Sequence, residues 1–447
     1  MTEKLYRLFL ECGKVATDTR KLTGGEMFFA LKGENFDGNL YAMDALEKGA
    51  AFAVVDEGSK YDGASDRIIA VPDTLQALKD LARHHRENTL VDGERLRVIG
   101  LTGTNGKTTT KELIRSVLAK KYRVTATEGN LNNDIGVPLS LLSIDSRTEI
   151  AVIEMGASHP GDIASLVEVA EPDYGLITNV GKAHLLGFGD FEGVKKAKGR
   201  LYDYVSAHGK AVFLNADDPV LSAMAAERPG MTIIPYGVKY WNTEVLPSSA
   251  DHPFLRMAIP DNLDDSECLL GVDTRLAGAY NANNVLAAIA VGLYFEVPLQ
   301  DAIDAVCEYV PANSRSQLSR KGSNTVIMDA YNANPTSMAA ALDNFALMNA
   351  GLRVALLGDM RVLGEESVAE HVTILEKIAA TGFDKVFLVG EEFGKALKLK
   401  ELDAEWFPCS DALAEYLREN PLSGATILLK GSRGIMMEKV LPSLETA

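Results

Sequence analysis

The stretch RVIGLTGTNGKTTTKELIRSVLAKKY, residues 97–122, constrains the fold of this chain more than any other. A short apolar run ends in a glycine-rich turn, and a helical pattern follows at once. Leu113, Ile114, Val117 and Leu118 recur at the spacing of one helical face. A strand that turns tightly into a helix leaves the first backbone N–H groups of that helix aimed at the turn, where the helix dipole also favours negative charge. Gly103 and Gly106 let the backbone come close to an anion. Lys107 can reach the outer phosphates of a nucleotide, and Thr108 can hold Mg2+. Thr104 and Asn105 alone separate the two glycines, and position 101 is Leu, so the loop is a variant of the general phosphate-binding turn.

The chain has 447 residues, too many for one core, and the alternation of strands and helices continues through it. Residues 1–88 contain FFALKG, YAMDALEKGA, AFAVVD, RIIAV and TLQALKDLARHHREN, and the polar RENTLVDGER after them reads as a linker. Residues 89–312 add the buried-type strands LRVIGL, IAVIEMG, YGLITNV, KAVFLNAD and TIIPYG. The less regular stretch 238–275 suits small antiparallel strands, and NANNVLAAIAVGLYF is a helix. In residues 313–447, NTVIMDAYNANP, RVALLGDM, KVFLVG and TILLKGSRG each end an apolar run in Gly, Asp, Asn or Lys. Ligands of open α/β sheets gather at such strand ends. The expectation is an α/β protein of three domains: a small first domain, a central parallel sheet of the P-loop ATPase kind and a Rossmann-like third.

A formal net charge of −17 argues against a nucleic-acid-binding surface. Cys12, Cys268, Cys307 and Cys409 lack any metal-binding spacing and read as reduced thiols. No apolar run reaches the ~18 residues of a membrane span. MTEKLYRLFLECGK lacks the features of a signal peptide. The reading is a cytoplasmic protein without membrane insertion, acting as a monomer.

Several polar residues stand at strand or helix ends. Glu154 closes a buried-type strand, where a carboxylate suits either Mg2+ or a capping role. His184 follows the next strand, and Lys195, Lys196 and Lys198 by themselves read as a solvated helical face. Asn281 and Asn284 can cap a helix or read the edges of a base. Asp329, Asn332 and Asn334 share one strand end, Asp359 marks the next, and Lys430, Ser432 and Arg433 a third. Such groups can hold an ammonium or take its proton, although Asp and Asn also favour turns for their own sake.

TGTNGKTTT resembles the ATP loop of the Mur ligase family and of its relative folylpolyglutamate synthase. ITNVGKAHLLGFG, AKGRLY, NANNVLAA and TDTRKLTGG are similar to further family segments, so the resemblance spans essentially the whole chain in register. It implies an amide ligase in which ATP phosphorylates a carboxylate and an amine then attacks the acyl phosphate. It implies that Gly103, Thr104, Asn105, Gly106, Lys107, Thr108 and Thr109 bind ATP, with Asn284 on the adenine and Arg315 arriving from the third domain. Tyr280 stands where the family often has His. Thr108, Glu154 and His184 would serve two magnesium sites, and Lys198 would act in carbamylated form, so that Lys107, His184 and Lys198 form the catalytic group. The element Asp18, Thr19, Arg20 is similar to the family's UDP-binding turn, and Thr127, Asn130, Asn132 and Asn133 to a segment that meets the UDP-sugar. YNANP, GDM and KGSRG resemble the branch that adds D-alanyl-D-alanine to UDP-N-acetylmuramoyl-tripeptide, whose third residue is lysine or meso-diaminopimelate. This assigns Asp329, Asn332, Asn334, Asp359, Lys430, Ser432 and Arg433 to the incoming dipeptide. The alternatives are a family member that adds a diamino acid or glutamate, and a nucleotide-dependent switch without ligase chemistry.

Overall fold

The computed structural model describes residues 1–249, 252–261, 268–311, 317–348 and 350–445. Arg315 and the expected boundary at 312/313 lie outside the described residues.

The first sheet has four parallel strands in chain order, Val15–Ala16, Met27–Phe29, Phe52–Asp56 and Ile68–Val71. The helix Thr74–Asn88 follows, capped by the Asp73 side chain on Gln76 N. The stretch expected to be a linker is instead a hairpin, Leu90–Val91 against Glu94–Arg95. Asp92 at φ 52° and Gly93 at φ 84° supply the two left-handed residues that a two-residue hairpin turn requires.

The central sheet has six parallel strands. Their order is Val124–Ala126, Ile150–Glu154, Arg97–Thr102, Tyr174–Ile177, Ala211–Asn215 and Ile233–Tyr236. The strand order reverses at Arg97–Thr102, so a crevice opens beyond its carboxyl end, where the glycine turn sits. Three antiparallel strands, Glu244–Leu246, Phe254–Pro260 and Leu269–Ala277, occupy the irregular stretch as expected. The third sheet is mixed: Gln317–Lys321 pairs antiparallel with Asn324–Asp329, and the other four strands run parallel.

The first two sheets share one core. Leu5, Phe9, Phe29 and Leu81 of the first pack in the same cluster as Val98, Ile153, Leu166 and Tyr202 of the second. Each such fully buried side chain contributes roughly 1.5–3 kcal/mol. Polar contacts reinforce the seam: the fully buried Arg86 bonds Asp173 Oδ2 at 2.9 Å, and Asp173 Oδ2 also receives Val98 N at 2.8 Å. The third sheet has its own cores, with Phe345 and Phe393 on one face and Phe387 and Leu429 on the other. No helix among the described residues is long and apolar enough to cross a membrane.

Candidate active site

The phosphate turn is built by close approach. Gly103 has φ 152°, and a Cβ there would lie 1.8 Å from Thr178 Oγ1. Gly106 has φ 80°, and a Cβ there would lie 2.7 Å from Asn284 Oδ1. Both positions exclude a side chain for want of space as well as backbone freedom. The end of the neighbouring strand braces the turn: Asn105 N donates to Asn179 Oδ1 at 3.0 Å, and Asn105 O accepts from Thr178 Oγ1 at 2.6 Å. Thr104 N donates to Asn179 O at 3.0 Å. The helix Lys107–Leu118 starts at the last residues of this turn.

Two lysines meet on one carbonyl. Lys107 Nζ and Lys198 Nζ each donate to Gly103 O at 2.9 Å. Lys198 is therefore no part of a solvated face, and only 3% of it is exposed. Burial first, and the Lys107 charge second, push its amine well below the usual lysine range. Burial, followed by the Lys107 and Lys198 charges, also lowers His184, which favours a neutral imidazole. His184 itself sits at φ 53° in front of the short helix Leu185–Phe188.

Glu154 lies at the end of its strand, 1% exposed. Its carboxylate accepts from Thr108 Oγ1 at 2.9 Å and from Asn132 Nδ2 at 2.8 Å. Among the described residues no three His, Cys, Asp or Glu side chains gather into a metal cage. Mg2+ does not need one: it keeps waters and takes one or two protein oxygens together with substrate phosphates. A carboxylate and a hydroxyl already in contact, beside the turn, fit that ion.

The loop after Val124–Ala126 brings Asn130, Asn132 and Asn133 to the cleft. Asn133 Oδ1 also accepts from Gly136 N at 2.8 Å and so caps the next helix. Thr127 is turned inward, 1% exposed, with Oγ1 accepting from Glu154 N at 2.9 Å. The fully buried Lys111 bonds Thr127 O and lies 2.6 Å from Glu112 Oε1. It ties the loop to the phosphate helix. Sequence reading missed it, although KTTTKE places Lys111 one helical turn after Lys107.

A cleft of about 1310 Å3 is lined by residues of all three domains. Glu34 and Lys79 line it from the first, the phosphate turn and Asn284 from the second, and Asp329 and Lys430 from the third. Thr109 and Asn332 also line it. Asp329 and Lys430 form an ion pair with the lysine 1% exposed. Arg433 lies 5.2 Å over the ring of Tyr331.

Other sites expected from sequence are placed elsewhere. Asp359 is buried and accepts Glu392 N at 3.0 Å and Phe393 N at 2.9 Å, so it caps the helix Glu391–Leu397 and does not line the cleft. Burial raises its carboxyl above the ordinary range. Ser432 Oγ is held by Arg361 N at 2.9 Å and by Ala333 O at 3.2 Å. Asp18 and Arg20 grip each other in the turn that carries Thr19, which holds the Asp18 carboxyl down at about 2, and they lie outside the cleft lining. Asn334 caps the helix Pro335–Ala346.

A phosphate turn at the switch point of one sheet, sharing a cleft with a cation–carboxylate pair on another, is the arrangement of a nucleotide-dependent enzyme. Family models agree with that class. The Mur ligase family catalytic domain matches residues 13–86, the Mur ligase middle domain 101–292 and the Mur ligase glutamate ligase domain 314–433. The chain belongs to the Mur ligase family. It is 35% identical to the UDP-N-acetylmuramoyl-tripeptide–D-alanyl-D-alanine ligase of Bacillus subtilis, over 96% of this chain and 92% of that protein. It is 36% identical to the ligase of the same name from Escherichia coli, over 96% and 93%. A crystal structure of MurF from Acinetobacter baumannii superposes with a TM-score of 0.86 at 29% identity, covering 100% of this chain and 99% of that one. MurF of Thermotoga maritima in complex with ADP gives 0.83 at 27% identity, covering 98% of each.

Proposed function

We propose that this chain is an ATP-dependent amide ligase that joins D-alanyl-D-alanine to UDP-N-acetylmuramoyl-tripeptide, in the cytoplasm and as a monomer. In this reading residues 1–88 bind the UDP end, 89–312 bind ATP and 313–447 receive the dipeptide. The observation that carries it is the near-full-length likeness to ligases of that name, over a chain whose phosphate turn and Asp329–Lys430 pair open on one cleft.

The terminal carboxylate of the tripeptide attacks the γ-phosphorus of ATP, and ADP leaves. The dipeptide amine then attacks the acyl carbon of the acyl phosphate, and inorganic phosphate departs with its electron pair. Lys107 and the N–H groups at its helix start hold the phosphates. Asn284, whose side chain packs against Gly106, would contact the base. Thr108 with Glu154 would hold one Mg2+ and His184 a second. Magnesium, when bound, offsets the charge that builds on the transferring phosphoryl group. Asp329, oriented by Lys430, can steer the dipeptide ammonium and accept its proton.

Lys198 has the environment that carbamylation needs. A neutral amine adds to the carbon of CO2 and releases one proton, giving a carbamate anion. Burial disfavours the charged form of the amine, and Lys107, on the same carbonyl, supplies the positive charge that would stabilise the product.

The test is phosphate release from ATP and Mg2+ with each co-substrate alone and with both. Release only with both, and a product heavier by the dipeptide minus water, is expected. A need for a single diamino acid instead would move the chain to another branch of the family. Release with neither would make it a switch.

A further inference from the structure

The side chain of Asn105, in the middle of the phosphate turn, turns away from the turn. It meets Asn334 of the third domain: Asn334 Nδ2 donates to Asn105 Oδ1 at 2.8 Å, and Asn105 Nδ2 approaches Asn334 Oδ1 at 3.5 Å. Asn334 is 4% exposed and holds the start of the helix Pro335–Ala346 through a capping box with Ser337. The same helix touches the central domain twice more. Thr336 crowds Gly181, where a Cβ would lie 2.8 Å from Thr336 Oγ1. Asn344 Oδ1 accepts from Ala279 N at 2.7 Å, just before the segment that bears Asn281 and Asn284. Lys182 Nζ, beside the His184 loop, bonds Glu370 Oε1 at 2.7 Å across the same seam.

Chain connectivity makes this more than a docking contact. Asp329 ends its strand, Tyr331 and Asn332 line the cleft, and Asn334 starts the helix. On the other side Asn105 lies between Gly103, whose carbonyl holds Lys107 and Lys198, and Lys107 itself. A shift of the loop that faces the amine therefore pulls on the turn that faces the phosphates.

Building on the reading above, we propose that the Asn105–Asn334 amide pair is a positioning contact: it locks the phosphate turn into its working shape when the dipeptide-side helix is seated. Asn334 then serves the dipeptide through Asn105 and not by touching it. An amide pair suits the task because each partner both donates and accepts, so the contact has one register.

The test is a double-mutant cycle in the full-length enzyme with Asn105→Ala, Asn334→Ser and the double variant. Serine keeps the helix cap but is too short to reach Asn105. Melting temperatures confirm folding of all three, and phosphate release gives kcat and both KM values. Each single change is expected to lower kcat by about five- to tenfold, the worth of one or two hydrogen bonds, and the double to be no worse than either. Asn105→Ala should also raise KM for D-alanyl-D-alanine, although it lies on the nucleotide side. The proposal is overturned if the two effects multiply. It is equally overturned if Asn334→Ser raises the dipeptide KM while Asn105→Ala leaves it unchanged, which makes Asn334 a direct contact. The same cycle read on ADP affinity needs no dipeptide. A wild-type enzyme that ignores the dipeptide would thus sink the ligase reading and still leave the pair testable.

Discussion

Gly103 shows how tightly the turn is drawn. Its φ of 152° is open to glycine, and Thr178 Oγ1 occupies the place of a Cβ. Gly103→Ala is expected to cost about 1–3 kcal/mol as overpacking and to weaken ATP binding, read by calorimetric titration with ADP. Thr178→Ala in the same chain removes the obstructing hydroxyl and should recover part of the loss; no recovery would mean that φ alone matters. Lys198 is the opposite case, a group whose removal the fold tolerates. Lys107 still donates to Gly103 O after Lys198→Met, so stability should change by about 1 kcal/mol or less. Turnover should fall roughly 10- to 100-fold, as when a group that orients a metal site is lost. Thermal melting and phosphate release separate the two, and unchanged turnover would remove Lys198 from the mechanism.

The helix Thr74–Asn88 links two sheets and carries the buried Arg86. Asp173→Ala leaves that cation without its carboxylate and should destabilise by about 3–5 kcal/mol. Arg86→Met should cost clearly less, because two of the three guanidinium nitrogens have no partner to lose; equal effects from chemical denaturation would refute this account. Elements of this kind mark the limit of what the sequence made legible. The strand, turn and helix around Lys107 lie within 26 consecutive residues, so apolar spacing and two glycines announce them. Strand ends such as Glu154 and Asp329 were found for the same local reason. Lys198 looked solvated because its burial depends on a carbonyl 95 positions away. Asp359 looked like a cleft residue because the helix it caps begins more than 30 positions later, with the capped amides 33 and 34 residues on. Asn334 was legible as a turn former and as a family mark, but its partner stands 229 positions earlier. The polar run after Asn88 was read by composition, while its Asp-Gly pair was already the signature of a hairpin.

The three largest sheets make two bodies here, because the first and the central one draw on one core while the last has cores that take only Ala277 from outside its own domain. Calorimetry should resolve two transitions, one for residues up to 311 and one for those from 317, with ADP and Mg2+ raising the first. A single transition, or three, would contradict that division. The shared core has another consequence. With the first sheet packed on the second through one core, the distance from the first domain's side of the cleft to Lys107 should be held constant. In the proposed reading, a substrate held at its UDP end by the first domain would be gauged as against a ruler, and the free end of its peptide would reach the phosphates only with the right number of residues. Analogues one residue shorter or longer should therefore bind with similar KM and lose kcat. A loss confined to KM would show that the ruler bends.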